Sequence, residues 1–298
     1  MQKSRDLTTG PLGRSIFFYS LPLVFTYLLE MLFNIADMVI AGKYAGDRAL
    51  GAIGSTPQMM FFCMGFLMGM GGAVNAIAAY FIGGKKTADL EQTVHTGAII
   101  SFFAGLFFYI MAFFLGRPVL LLLNTKAELF EDALLYFRIC SLGFVAMGIY
   151  NWGNGILSAA GDTKSPLVYL VISGGMNVIL NITFIVAFKM TVDGVAWATV
   201  ISQFTGAVMV TVRLIREKGD FSFSFGKLRV NKGKALQILK LGIPSGMQNA
   251  IFAFANSFLQ AAVNSFESAL VVANSAAINI DNILYSVNGA FYNACASF

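Results

Sequence analysis

Charge is what this sequence has least of. Only 12% of its 298 residues are Asp, Glu, Lys or Arg, about half the roughly 25% of a soluble domain. There is one histidine, His95, and there are three cysteines. A single imidazole, no Cys–His set and no paired aspartate-rich motif leave little to catalyse with, so an enzyme is not expected. Cys63, Cys140 and Cys295 lie inside apolar runs and read as small buried hydrophobes, not as a disulfide framework or a metal site. The alternating ten-residue segments of a β-barrel are also lacking. So is a cleavable signal peptide: the first apolar run exceeds an h-region of about 7–15 residues and no small-residue cleavage site follows it.

What is present is apolar surface in long runs. Hydrophobic residues make up 57% of the chain and the mean hydropathy is +0.72. Several stretches exceed the roughly 20 residues needed to cross the hydrocarbon, which predicts an all-α, polytopic membrane protein. Helices are expected at roughly 15–41, 51–82, 94–116, 133–158, 166–188, 192–215, 236–263 and 269–298, separated by segments rich in breakers and charge such as GGKKTADLEQ, AAGDTKSP and NSFES. With the N-terminus inside, fourteen basic residues fall on inner segments, Lys3, Arg5 and Arg14 among them, against five on outer ones. The N-terminus and the polar 217–235 segment are therefore expected in the cytoplasm, in a plasma (inner) membrane. The net charge of +5 reflects topology, not a nucleic-acid partner. His95, just past a charged loop, reads as interfacial rather than as a proton relay.

The 217–235 segment divides the chain into an N-terminal lobe (1–216), a linker and the start of a second lobe (236–298). Residues 237–264 echo 15–42 at an offset of 222, pairing Ile16 with Ile238, Pro22 with Pro244 and Asn34 with Asn256. That pattern fits a second lobe of the same architecture, related as a parallel repeat. With two helices against six, that lobe is expected to be incomplete and the chain truncated.

The first span carries Glu30, Asn34 and Asp37. At about 100° per residue Asn34 lies about 40° from Glu30, and Asp37 about 20° to the other side. One polar stripe thus runs along a greasy helix. A carboxylate at bilayer depth costs at least about 2.5–3.5 kcal/mol on insertion scales, so it faces a cavity or a partner. An acid so placed suits proton binding and, with neighbouring oxygens, Na⁺ at Asp37. Asp281 is a further embedded acid. Asn177 and Asn181 stand one turn apart; Thr199, Ser202, Gln203 and Gly206 share a face; Ser245, Asn249 and Asn256 line another. Such residues serve either cavity lining or helix-to-helix bonding, the latter worth about 0.6 kcal/mol each. The glycines of 64–72 and 173–175 allow close helix approach.

LPLVFTYLLEMLFNIADMVIAGKYAG, NGILSAAGDTKSP, NVILN and GVAWATVISQ together resemble the multidrug and toxic compound extrusion (MATE) family, in particular its DinF-like branch. The resemblance covers the whole chain. It implies two six-helix lobes and efflux of organic, often cationic compounds in exchange for Na⁺ or H⁺, with no other cofactor. Here that means a first lobe plus the first two helices of a second, working as a monomer. The coupling positions it implies are Asp37, Tyr136, Asn151, Asn177, Asn181 and Thr199, with Glu30 and Asn34 beside them. Gln203, Asn249, Asn256 and Asp281 are expected in the substrate cavity. Some members have an acid followed by proline where this chain has Asn181 and Ile182, which makes Glu30 a candidate replacement for the missing acid. Members that bind the cation in the second lobe use a Glu on the seventh helix, where this chain offers only Ser245, Gln248, Asn249 and Asn256. The competing class is a flippase for lipid-linked oligosaccharide or peptidoglycan precursors, which would need basic residues in its cavity; Arg138 is the one embedded base available.

Overall fold

The computed structural model describes residues 12–123, 125–263 and 268–297, and these are helical nearly throughout, with no strand among them. Lys3, Arg5 and the 264–267 part of the NSFES break lie outside the described residues. The helices are α1 (Leu12–Ile40), α2 (Asp47–Gly54), α3 (Pro57–Gly83), α4 (Thr87–Leu122), α5 (Ala127–Ala159), α6 (Lys164–Ile182), α7 (Val192–Ile215), α8 (Lys232–Val263) and α9 (Ser268–Ser297). Each of the eight expected spans is helical over most of its described residues. Six stretches are long and apolar enough to cross a membrane by length and composition: Leu12–Ala45, α3, α4, α5, Lys164–Ala187 and α7. α8 and α9, at 32 and 30 residues, match them in length.

The ends of the helices differ from expectation in ways that local chemistry explains. The second expected helix is two helices. Pro57 has no N–H to donate and opens α3 at its first position, so the segment before it closes separately as the eight-residue α2. Gly46, at φ +88°, supplies the reversal that starts α2. α4 extends well beyond 94–116 at both ends: its first two turns are polar and stand outside the apolar stretch that marked it, and at the other end the helix continues through Arg117 and Pro118. The AAGDTKSP junction has a local logic too. Gly161 turns at φ +84°, and Asp162 accepts bonds from the Ser165 amide at 3.0 Å and the Ser165 hydroxyl at 2.6 Å. Asp162 thus satisfies an amide that the start of α6 leaves free.

Packing centres on α3 and α5. α3 lies against α4, α5 and α8, α5 against α3, α4 and α7, and α9 reaches back to α1. The α3–α8 crossing is built on glycine. Gly69 on α3 faces Gly242 and Gly246 on α8, and Gly65, one turn before it, lies against Asn249 and Ala250, the small residues bringing the helix backbones together. A Cβ on Gly69 would stand 2.5 Å from the Gly246 nitrogen and 2.8 Å from its Cα, and one on Gly246 would stand 2.9 Å from the Phe66 Cα. Pro22 and Pro244 sit inside α1 and α8, as the eleventh and thirteenth residues of those helices.

The linker is not a free tether. The Ser224 amide donates to His95 Nε2 at 3.2 Å, the Asn231 amide to the Thr96 hydroxyl at 3.1 Å, and Asn231 Nδ2 to Gln92 Oε1 at 2.8 Å. Lys227 pairs with Glu91 at 2.8 Å, and Lys234 with Asp89 at 2.7 Å. His95 is buried, stacks on Phe223 and places Nδ1 2.8 Å from the Glu91 carbonyl. A carbonyl on one side and an amide donor on the other require the neutral tautomer with the proton on Nδ1. His95, expected at the interface, also acts as a clasp that holds the linker onto the first turns of α4.

The glycine crossing makes a test by contrast. Gly69→Ala must push backbone from backbone, an overpacking cost of about 1–3 kcal/mol. Gly72→Ala, three residues on, meets nothing within 4 Å. Thermal unfolding of purified protein should show a lowered midpoint for the first variant and an unchanged or raised one for the second; equal midpoints would refute the crossing.

Candidate functional site

Asp37 is carried on the last full turn of α1, which packs against α6. What holds the two helices together is a glycine. A Cβ on Gly174 of α6 would overlap the Phe33 ring of α1, so the ring lies flat on the α6 backbone. One turn of α1 beyond Phe33, Asp37 meets Asn181. The Asn181 Nδ2 group donates to Asp37 Oδ1 at 2.6 Å and to Asn177 Oδ1 at 3.3 Å. Asn181 is fully buried, Asn177 nearly so, and Asp37 half-buried.

Both amide hydrogens of Asn181 are therefore used, while its carbonyl oxygen is buried with no partner. An unsatisfied buried acceptor costs about 1–3 kcal/mol. The site as a whole is acceptor-rich: a carboxylate, the Asn177 oxygen and the orphaned Asn181 oxygen. Such a donor set suits a hard cation or a proton. Among the described residues no three His, Cys, Asp or Glu side chains gather to hold a metal ion, so a cation here would rest on one carboxylate plus neutral oxygens.

Immediately beyond these residues both helices widen into π-helical turns, Ala41–Ala45 after α1 and Thr183–Ala187 after α6, and the two turns touch. Wide turns of this kind concentrate at functional sites. Neither was foreseen, because no residue type marks a π turn.

The remaining expected residues divide by position. Tyr136 on α5 lies within electrostatic reach of Asp37 and in hydrogen-bonding reach of the Cys140 thiol, a neighbour that the sequence presented only as a buried hydrophobe. Thr199 on α7 is half-buried and spends its hydroxyl on the Val195 carbonyl at 3.0 Å. One turn further, Gln203 lies over Gly143 of α5, and its Oε1 is a second buried amide oxygen without a partner. Asn151 does not join them. It is fifteen residues from Tyr136, about 22 Å along α5, packs on Gly71 of α3 and bonds back to the Met147 carbonyl at 2.9 Å.

The stripe on α1 also divides. Asn34 is exposed and returns its amide to the Glu30 carbonyl at 2.9 Å. Glu30, two turns from Asp37 and about 10 Å along the helix, is half-buried, within electrostatic reach of the Tyr27 and Tyr150 hydroxyls. Tyr27 in turn accepts a bond from Asn293 of α9 at 2.5 Å. Asn249 donates to the Gly65 carbonyl at 3.1 Å across the glycine crossing. Asn256 and Asp281 are exposed.

Six helices long and apolar enough to cross a membrane, two of them joined by a part-buried carboxylate–amide contact, are the architecture of a multi-pass membrane protein. The sequence profile of the MatE family matches residues 22–183, more than half of the chain, and the chain belongs to that family. It is 26% identical over 282 residues to the probable multidrug resistance protein YpnP of Bacillus subtilis (strain 168), covering 95% of this chain and 63% of that protein. It is 22% identical over 310 residues to an FAD transporter of Shewanella oneidensis, covering 100% of this chain and 67% of that protein. A solved outward-facing multidrug resistance MATE family transporter of the MOP superfamily shares its fold, with a TM-score of 0.91 at 22% identity over 99% of this chain and 66% of that one. The chain thus spans about two thirds or less of the length of these proteins.

The geometry gives Asn181 and Asn34 opposite weights. Asn181→Leu removes the donor to a charged group and should cost about 1.5–3 kcal/mol in thermal unfolding. Asn34→Leu should change stability by less than about 0.5 kcal/mol. A neutral Asn181→Leu would mean that the α1–α6 contact does not hold the helices.

Proposed function

We propose that this chain works in a cation-coupled exporter of organic, often cationic compounds, exchanging H⁺ or Na⁺ through Asp37 by alternating access. The observation that carries the reading is the Asp37–Asn181 contact with its orphaned Asn181 oxygen. An ionised Asp37 accepts from Asn181 Nδ2. A protonated Asp37 has a hydrogen to give, and a rotated Asn181 carboxamide offers its oxygen to receive it. Na⁺ would use the same rotation, gaining a neutral oxygen beside the carboxylate. Either cation therefore changes which atoms join α1 to α6, and only such a difference between states lets a bound ion shift an equilibrium. The touching π turns beyond the site are where the two helices can move relative to each other. Tyr136 and Thr199 would line the approach, and Gln203 offers a second oxygen further along α7.

Glu30 stands apart from this contact, so we assign it to cargo: a carboxylate within electrostatic reach of two tyrosines suits an organic cation. The excess of basic residues on the linker side supports a plasma-membrane location with the N-terminus and linker in the cytoplasm. A monomer is the simplest assembly.

The flippase reading needs a base facing the cavity. Arg138 stacks over Phe113 of α4 at 4.9 Å and projects about 200° around α5 from Tyr136, away from the Asp37 side. An anionic cargo such as the one named for the Shewanella relative would meet the same obstacle.

The test is ethidium efflux into inverted vesicles of the full-length protein, with Na⁺ and pH gradients varied independently. Asp37→Asn should lower coupled efflux at least about tenfold, which is about 1.4 kcal/mol or more, with insertion intact. Unimpaired efflux by that variant would overturn the mechanism, and transport of a lipid-linked precursor in place of dye would favour the flippase. Glu30→Gln should weaken export of cationic dyes and leave neutral cargo and ion dependence unchanged. A loss of ion dependence would return Glu30 to the coupling site.

A further inference from the structure

The segment joining α7 to α8 combines three features that the export mechanism does not use. First, its position is fixed. The bonds from Ser224, Lys227 and Asn231 go to His95, Glu91, Gln92 and Thr96 on the first turns of α4. Thr96 is the last residue before Gly97–Gly116, twenty residues without a charge, which is the length that fills the hydrocarbon. The segment is thereby held at the depth where α4 enters the bilayer, the level of the lipid headgroups.

Second, held there, it presents apolar side chains outward. Phe225 is 66% exposed and Val230 53% exposed, and Leu228 is also exposed. Leu228 and Val230, two residues apart at the extended end of the segment, share a side. Phe223 is the counterexample that gives this meaning: it is buried against His95 and Trp152. Phe221 is half-buried against the same core, whereas Phe225, edge-on to Phe223 at 5.1 Å between ring centroids, leaves most of its surface outside.

Third, the exposed apolar residues alternate with free cations. Lys218, Arg229 and Lys232 are exposed, and none has a carboxylate partner among the described residues. Lys227 and Lys234 differ, being committed to Glu91 and Asp89. Exposed Phe, Leu and Val beside Lys and Arg, in the plane of the interface, match the requirements of an anionic bilayer surface. A purely solvated loop has no need of the apolar set. A soluble partner would not call for a docking site at headgroup depth.

We infer that residues 218–232 form an interfacial anchor for anionic phospholipid, with Phe225, Leu228 and Val230 entering the headgroup boundary and Lys218, Arg229 and Lys232 meeting lipid phosphates. Because the anchor is clasped to α4 and continues directly into α8, lipid composition would set how firmly the start of α8 is held. The inference does not depend on which side of the membrane is cytoplasmic.

Hydrogen exchange of the 225–230 amides tests it, in nanodiscs of pure phosphatidylcholine and in discs with one third phosphatidylglycerol. A disc presents the same lipid on both faces, so topology does not enter, and failure here leaves the export reading untouched. Wild type should exchange about tenfold more slowly in the anionic discs, and 0.5 M NaCl should remove the difference. The triple variant Lys218→Gln, Arg229→Gln, Lys232→Gln should exchange equally in both. Phe225→Ser with Val230→Ser should exchange faster than wild type in both. Equal exchange of wild type in the two lipids, or retention of the anionic effect by the triple variant, overturns the anchor. Unfolding midpoints in detergent, where no bilayer is present, should match wild type for both variants; a shared drop would assign these side chains to internal packing instead.

Discussion

A carboxylate inside a helix that crosses hydrocarbon must be met, and the meeting of Asp37 with Asn181 is the constraint on which the rest of the arrangement depends. It requires α1 and α6 to approach closely enough for a 2.6 Å bond, which in turn requires a bare backbone at Gly174 for Phe33 to lie on. It requires a second amide, Asn177, to take the other hydrogen. Once those demands are satisfied, one oxygen is left with nothing to accept. That unspent oxygen beside a carboxylate is the observation on which the proposed cation coupling rests.

The same economy governs the surrounding bundle. Without a hydrophobic drive between helices in lipid, close contact comes from small residues and interhelical bonds. The α3–α8 crossing has both: paired glycines, and Asn249 reaching the Gly65 carbonyl. Polar residues that looked alike along the chain thus divide into two uses. Asn249 and Asn151 make bonds that hold or shape helices, whereas Asn181 and Gln203 keep a buried oxygen unspent.

Much of this was legible in the chain. The spans announce themselves by apolar length, and Asn177 and Asn181 by their one-turn spacing, which places both on one face; only the family resemblance set that face against Asp37. Asn34 was misplaced for a geometric reason: three residues before Asp37, it lies about 60° around the helix, enough to leave the α6 contact and reach the exterior. Asn151 was grouped with Tyr136 by resemblance alone, although fifteen residues on one helix keep them apart. Helix ends were misjudged where polar turns extend an apolar helix, as in α4, or where Pro57 divides one. The π turns and the linker's clasp were out of reach: the first has no residue signature, and the second depends on His95 meeting Ser224 across 129 positions of chain.

The claim that Asp37 is the coupling carboxylate makes one direct demand. Cargo and coupling ion must displace each other, each lowering the other's affinity by the same factor. Purified full-length protein titrated with tetraphenylphosphonium in weakly buffered solution, followed by a pH electrode and a Na⁺ electrode, should release roughly one H⁺ or Na⁺ per chain as cargo binds. Asp37→Asn should bind the cargo and release neither. Release of the same ion in the same amount by that variant would contradict the account.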